Sequence, residues 1–139
     1  FKRDGVLNSL GNTRLSYSPE LVFGNILTYK PIINLNISLL TKLVGEQYMS
    51  NIEAKGSRLD SYSVNDINIS YQWKPQSAIS LMTLNLLINN VFDKKYVSNG
   101  YFYTYDDNWS SPNQITTIEG TGYYPQAGIN FLIGLTTSF

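Results

Sequence analysis

The sequence has 139 residues, with ten Lys and Arg against ten Asp and Glu, and no His or Cys. The length suits one domain or one piece of a larger one, and the missing residue types exclude disulfides, thiol nucleophiles, the usual catalytic triads and thiolate or imidazole metal sites. A formal net charge of zero argues against binding of nucleic acid phosphates, whereas 14% charged and 14% aromatic residues suggest membrane contact or a dense recognition surface.

The route to a membrane is restricted by the pattern of apolar residues. No stretch approaches the roughly 20 apolar residues of a membrane helix. The sequence begins with Phe1 and shows no signal peptide, so we expect a processed chain or a fragment. Any membrane passage would therefore use strands.

Alternation of apolar and polar residues predicts five strands. In chain order they lie near residues 21–30, 33–46, 62–74, 79–92 and 127–139. In the last strand, Ile129, Phe131, Ile133 and Leu135 share one face. We therefore predict an all-β chain.

One face of the second and third predicted strands is polar. If that face lines a barrel lumen, the lumen-facing residues are Asn34, Asn36, Ser38, Lys42, Asp66, Asn68, Ser70 and Gln72. Lys42 and Asp66 are the only charges well inside the strands. This placement fits a lipid-facing barrel, because a Lys on the lipid face near mid-membrane costs about 2–4 kcal/mol. It equally fits a soluble sandwich, whose core would also reject charge.

The connections alternate in length. Short connections containing Pro follow the first and third strands, whereas residues 1–20, 46–61 and 93–125 read as long polar loops. Short turns at one end and long loops at the other are typical of outer-membrane barrels. Loops of this length are uncommon in compact soluble domains unless they carry function.

The longest loop contains the candidate binding residues. Aromatic side chains there are good anchors for a ligand or partner, although they could instead pack against neighbouring loops. The candidates are Tyr101, Tyr103, Tyr105, Asp106, Asp107 and Trp109. The two carboxylates could contribute to a Ca²⁺ site, but they lack the spacing of a calcium loop and fit a solvated loop tip better. We read Gly120 and Gly122 as loop flexibility, and assign no catalytic residue, cofactor or metal.

Two motifs and the C-terminus resemble a known family. The segment 89–96, Asn-Asn-Val-Phe-Asp-Lys-Lys-Tyr, resembles the penultimate-strand motif of TonB-dependent outer-membrane receptors. The segment 123–131, Tyr-Tyr-Pro-Gln-Ala-Gly-Ile-Asn-Phe, resembles the entry to their last strand. The run ending at Phe139 resembles their closing strand, in which a terminal aromatic residue helps the barrel assembly machinery recognise the chain.

This resemblance implies an antiparallel transmembrane β-barrel of about 22 strands, closed around a plug. The chain would supply about five C-terminal strands, and the remaining barrel and plug would come from the same or another polypeptide. The implied location is the bacterial outer membrane, with TonB acting on the plug, and the sequence leaves open whether a surface lipoprotein is a further partner. The implied function is energised uptake of a scarce, bulky nutrient such as a ferric siderophore, haem or cobalamin, and in some branches of the family an oligosaccharide or a peptide.

Two alternatives remain open from the sequence. A soluble β-sandwich could bind a carbohydrate or a partner through the same aromatic loop, and it would stay folded and monomeric without detergent. An enzymatic outer-membrane barrel is less well supported, because a glycosidase needs two carboxylates held a few ångström apart and the sequence specifies no such pair. Loss of activity on mutating Asp66, Asp106 or Asp107, with folding intact, would support it.

Overall fold

The chain is all-β, with antiparallel sheets. The computed structural model describes residues 1–75 and 80–139, and the only helix in that part of the chain is a single 3₁₀ turn, Lys55–Ser57. The strands in the described residues, in chain order, are β1 (Lys2–Arg3), β2 (Val6–Leu7), β3 (Val22–Ile32), β4 (Leu35–Val44), β5 (Gln47–Tyr48), β6 (Arg58–Leu59), β7 (Tyr62–Trp73), β8 (Leu81–Asn89), β9 (Val97–Asp107), β10 (Thr116–Pro125) and β11 (Asn130–Ser138). The predicted all-β class is confirmed.

Five of these strands correspond to the five that the alternation predicts. They are β3, β4, β7, β8 and β11, and their ends differ from the expected ends by a few residues. The short connection expected after the third strand and the start of the strand expected at 79–92 fall partly on residues 76–79, outside the described residues.

The chain divides into two compact units. The sheet unit comprises Val22–Leu43, Ser63–Lys95 and Ala127–Phe139, and the loop unit comprises Phe1–Leu21, Val44–Tyr62 and Tyr96–Gln126. The sheet unit therefore contains nearly all of the five predicted strands, and the loop unit contains the connections expected to be long.

The sheet unit is built on one open five-stranded sheet in the order β11-β8-β7-β4-β3. Within this sheet, Leu86 of β8 lies opposite Ile69 of β7 on one side and Ile133 of β11 on the other. The outer strands β3 and β11 each have one edge without a partner strand in the described residues. The sheet does not close into a barrel.

Side-chain contacts show which residues share a face. The hydroxyls of Thr28 and Ser38 are 2.9 Å apart, and the Thr41 hydroxyl donates to the Asn65 amide oxygen at 2.7 Å, which aligns β3, β4 and β7. With the register of β7, β8 and β11, this defines an apolar face that carries no charge in the described strands. It includes Phe23, Leu27, Tyr29, Ile37, Leu39, Ile67, Ile69, Tyr71, Leu84, Leu86, Ile88, Phe131, Ile133 and Leu135.

In the described part of the sheet unit, no second layer covers this apolar face. Leu27, Phe131 and Ile133 are 65%, 69% and 68% exposed, and in the described part of the sheet unit only Val64 and Asn90 are buried. Burying apolar surface stabilises a fold by roughly 25 cal/mol per Å², so an uncovered face this broad is expected to meet lipid or another protein surface.

The segment 93–125 is not an irregular loop, so that expectation is corrected. It contains the antiparallel hairpin of β9 and β10, in which Tyr103 lies opposite Gly120 and Tyr101 opposite Gly122. Gly, Asn and Asp in this segment are turn formers, which made it read as loop. Alternating Tyr and Thr residues favour a strand, and cross-strand pairing decides the outcome.

The two other long connections contain little regular structure. Residues 1–20 form the short β1–β2 hairpin and otherwise irregular chain, and residues 46–61 contain β5, β6 and the 3₁₀ turn. Val44, Met49 and Leu59 form the small buried core of the loop unit. The part of the chain that the structure describes contains no helix that could span a membrane.

Candidate functional site: an aromatic ladder on the β9–β10 hairpin

Four aromatic residues form a row on one face of the hairpin, which we call the aromatic ladder (Tyr101, Tyr103, Tyr105 and Trp109). Successive ring centroids are 6.3, 6.4 and 5.8 Å apart, with interplanar angles of 15°, 13° and 3°. Tyr124 adds a tilted ring beside Tyr101, at 6.1 Å and 54°. The structure thus brings together the four aromatic candidates predicted from the sequence.

Glycines on β10 explain why the rings lie over the partner strand. A Cβ atom added at Gly120 would stand 2.2 Å from Cζ of Tyr103, and one added at Gly122 would stand 2.3 Å from Cζ of Tyr101. The two rings therefore occupy the space that a side chain at Gly120 or Gly122 would fill. The earlier interpretation of Gly120 and Gly122 as loop flexibility is wrong, because both lie within β10 and are needed for close approach.

One side of the ladder remains open to solvent. The three tyrosines are 47%, 52% and 43% exposed, and Trp109 is 69% exposed. Within residues 1–75 and 80–139, no hydrogen bond involves the hydroxyl of Tyr101, Tyr103 or Tyr105, so these groups are available to a ligand. Tyrosine offers a large contact area at low entropic cost.

The opposite face of the hairpin packs against the rest of the loop unit. The Tyr17 hydroxyl donates to the Gly100 carbonyl at 3.0 Å, and the Thr121 hydroxyl donates to the Gly56 carbonyl at 3.0 Å. A Cβ atom added at Gly100 would be 2.7 Å from Met49 Sδ, outside the hairpin. This packing holds the opposite face of the hairpin in place, so the aromatic ladder lies on a hairpin that is fixed to the rest of the loop unit.

Asp106 serves the scaffold and is not at a solvated loop tip. Its carboxylate accepts hydrogen bonds from the Thr117 hydroxyl at 2.7 Å and the Gly5 N–H at 3.1 Å, with Lys2 Nζ at 3.8 Å. Asp4 Oδ1 in turn accepts the Thr117 N–H at 2.8 Å. Asp106 therefore ties the β1–β2 hairpin to β9 and β10, and its assignment as a ligand contact stays a prediction.

Asp107 points to the other face of β9, because neighbouring residues of a strand alternate. Its carboxylate accepts the Trp109 and Ser110 N–H groups, each at 3.1 Å. It therefore holds the chain that carries the last ring of the ladder. In the described residues, no three Asp, Glu, His or Cys side chains form a group that could hold a metal, and Asp106 and Asp107 do not converge.

The Asp107 contacts predict an acid-sensitive turn. Hydrogen bonds from the Ser110 hydroxyl and from the Trp109 and Ser110 N–H groups lower the pKa of Asp107 below its usual 3.8. Since the folded-state pKa is the lower one, the stabilisation is complete above about pH 3.8 and is lost as the pH falls through the folded value. In a Trp73→Phe background, we expect Trp109 fluorescence to change in that acidic range. An Asp107→Asn variant should show no such transition, and an identical transition in it would contradict this role.

The motif at 89–96 forms a structural lock in the sheet unit. Asn90 is 3% exposed with φ of +51°, and its amide nitrogen donates to the carbonyls of Lys94 at 2.9 Å and Ala127 at 3.2 Å. Asp93 accepts the Ile129 N–H at 3.0 Å and pairs with Lys95, and these contacts lower the pKa of Asp93. These contacts were not predicted from the sequence.

The residues expected to face a lumen mostly share the polar face of the sheet. Those on strands are Asn36, Ser38, Lys42, Asp66, Asn68, Ser70 and Gln72. Asn34 does not lie on a strand; it stands in the β3–β4 turn with φ of +70°, a conformation that Asn tolerates better than most residues. The prediction that this face lines a lumen stays a prediction.

Phe139 lies one residue after β11 and is 88% exposed. Its side chain is free for recognition or for lipid, and the predicted assembly signal stays a prediction.

Comparison of the chain with protein-family models, with curated proteins and with solved structures finds no match in any of the three.

Proposed function

We propose that the chain is part of the barrel of a TonB-dependent outer-membrane receptor that takes up a scarce, bulky nutrient. The observation that carries the proposal is the uncharged apolar face of an open, single-layered sheet with polar residues on the other side. Strands of 9 to 12 residues suit the roughly 9–11 residues of a tilted membrane strand. The sequence motifs at 89–96 and 123–131 add the family resemblance.

The open edges favour the same proposal. Backbone groups left unpaired in hydrocarbon each cost several kcal/mol, so a membrane sheet must close. On this proposal, β3 and β11 pair with the remaining strands of the barrel, and the plug and its TonB contact lie in the rest of the assembly. The charges Lys30, Lys42 and Asp66 lie on the face that would line the lumen.

The soluble sandwich is the second candidate, and the exposed ladder favours it equally as a binding surface. A sandwich, however, covers its apolar face with a second sheet about 10 Å away. In the described part of the sheet unit, the five-stranded sheet has no second layer from the same unit.

The test uses single cysteines in a chain that has none. Ile69 and Ser70 are neighbours on β7 that face opposite sides, so Ile69→Cys and Ser70→Cys form a matched pair. In outer-membrane preparations of cells making the whole protein, we expect a lipid-soluble maleimide to label Ile69→Cys. A water-soluble maleimide should label Ser70→Cys in preference to Ile69→Cys.

Two outcomes would reject the membrane proposal. One is recovery of the whole protein in the soluble fraction without detergent, and the other is an Ile69→Cys thiol that no lipid-soluble maleimide labels.

The transport part is tested separately, by accumulation of a ferric siderophore, haem, cobalamin and a labelled neutral oligosaccharide in intact cells. Accumulation of one of them should disappear when the gene is disrupted or the proton gradient is collapsed, and retention of all four would reject transport of these nutrients.

A further inference from the structure

We propose that the aromatic ladder binds a neutral carbohydrate chain, with sugar rings placing their apolar faces on successive aromatic rings. This inference names the ligand class of the site and rests on the proposed function for its role in nutrient capture. It depends on the shape, the charge and the free polar groups of the ladder.

The shape suits a ligand that approaches from one side. The rings of Tyr101 and Tyr103 lie over Gly122 and Gly120, so the backbone of β10 covers one side and solvent meets the other. Rings in a row, with small interplanar angles, form an extended surface and do not enclose a cation as an aromatic cage does. A row of similar contacts matches a ligand that is itself a chain of repeated rings.

The charge of this face selects against anionic ligands. Its residues on β9 and β10 are Val97, Asn99, Tyr101, Tyr103, Tyr105, Asp107, Thr116, Ile118, Gly120, Gly122 and Tyr124. None of these is a cation, and the one carboxylate stands at the end of the row. Ferric catecholates or haem carboxylates would find no counter-charge on these residues and would meet repulsion from Asp107.

The hydrogen-bonding groups complete the match. Sugar hydroxyls lose hydrogen bonds with water on binding, and an unpaired polar group is costly. The free hydroxyls of Tyr101, Tyr103 and Tyr105 can donate to and accept from such groups along the row. Apolar stacking combined with neutral hydrogen bonding is the pattern that a polysaccharide requires.

The test is affinity electrophoresis of the whole protein in a non-ionic detergent without a sugar head group, since sugar detergents would compete. The probes are four neutral polysaccharides (laminarin, mannan, pullulan and dextran), with a ferric catecholate and haem as anionic probes in a separate fluorescence-quenching assay. We expect at least one polysaccharide to retard the wild-type protein. Removing a ring by Tyr103→Ala should weaken binding roughly two- to tenfold, from the usual strength of an aromatic contact.

Three further variants sharpen the result. Tyr123→Ala removes a ring that is 49% exposed on the opposite face and should bind like wild type. Tyr103→Phe keeps the ring and should retain most of the binding. Gly120→Ala keeps every hydroxyl but displaces the Tyr103 ring, so it should weaken binding as Tyr103→Ala does.

The inference is overturned if no polysaccharide retards the protein, if Tyr103→Ala and Gly120→Ala bind like wild type, or if ladder-dependent binding belongs to the ferric catecholate or haem. Failure of the proposed function is distinguishable, because membrane insertion is read by Ile69→Cys labelling without any ligand. Polysaccharide binding by a protein that needs no detergent would keep the ladder inference and reject the receptor.

Discussion

Leu86→Arg is expected to destabilise the protein in phospholipid vesicles by about 2–4 kcal/mol, because on the membrane proposal it places a charge on the lipid-facing side of the sheet near the midplane. Leu86 lies within β8, with Ile69 and Ile133 as its cross-strand neighbours on the apolar face. An Arg there has no counter-charge, since that face carries no charged residue in the described strands. The free energy of unfolding in urea, measured on the whole protein with lipid present, gives the effect.

Leu87→Arg is the matched control. It is the same substitution one residue along β8, but Leu87 lies on the polar face between Asn68 and Leu132. We expect a cost below about 1 kcal/mol there, as for a surface change. Equal costs for the two variants would contradict the assignment of the faces. A larger cost at Leu87 would reverse it, and so reject the predicted lumen residues as well.

Asn90→Ala is expected to destabilise the protein by about 3 kcal/mol. The substitution removes two donated hydrogen bonds and one accepted from the Lys94 N–H at 2.9 Å, and a buried polar group left unpaired costs about 1–3 kcal/mol. It also places Ala at a φ of +51°, where a non-glycine residue costs about 1–2 kcal/mol. Urea unfolding in lipid vesicles measures the sum.

Two further variants separate these causes. Asn90→Gly restores the backbone freedom but not the hydrogen bonds, so it should recover only the backbone part of the loss. Asn89→Ala removes the exposed hydrogen bond to Asn130 at 2.9 Å and should cost less than about 1 kcal/mol. If Asn90→Ala and Asn89→Ala cost the same, the lock between β8 and β11 does not contribute as described.

The aromatic ladder was only partly predictable. Tyr101, Tyr103, Tyr105 and Trp109 stand out in the sequence as a cluster, but reading residues 93–125 as loop hid their arrangement. The signal that could have revealed it is the spacing of two in both Tyr101, Tyr103, Tyr105 and Gly120, Gly122. That signal has meaning only once the two runs are paired in register.

Adjacent carboxylates show the opposite case, in which neighbours in sequence separate in space. Asp106 and Asp107 look like one acidic site, yet the pleat of β9 sends them to opposite faces. Asp106 then meets Thr117 and the N-terminal hairpin, more than 100 residues away in the case of Gly5. Two consecutive carboxylates could converge on one site only if the backbone there were irregular. Because both residues lie on a regular strand, their side chains point to opposite faces.

The sequence by itself determined the all-β class and the five strands with their two faces, because a period of two is a local property of the chain. It also determined the uneven distribution of charge, since Lys42 and Asp66 fall on the polar parity. Only the tertiary structure decided the β9–β10 register, the glycine support beneath the tyrosine rings and the Asn90 lock. Each of these depends on contact between segments distant in sequence, which no local pattern of residues specifies.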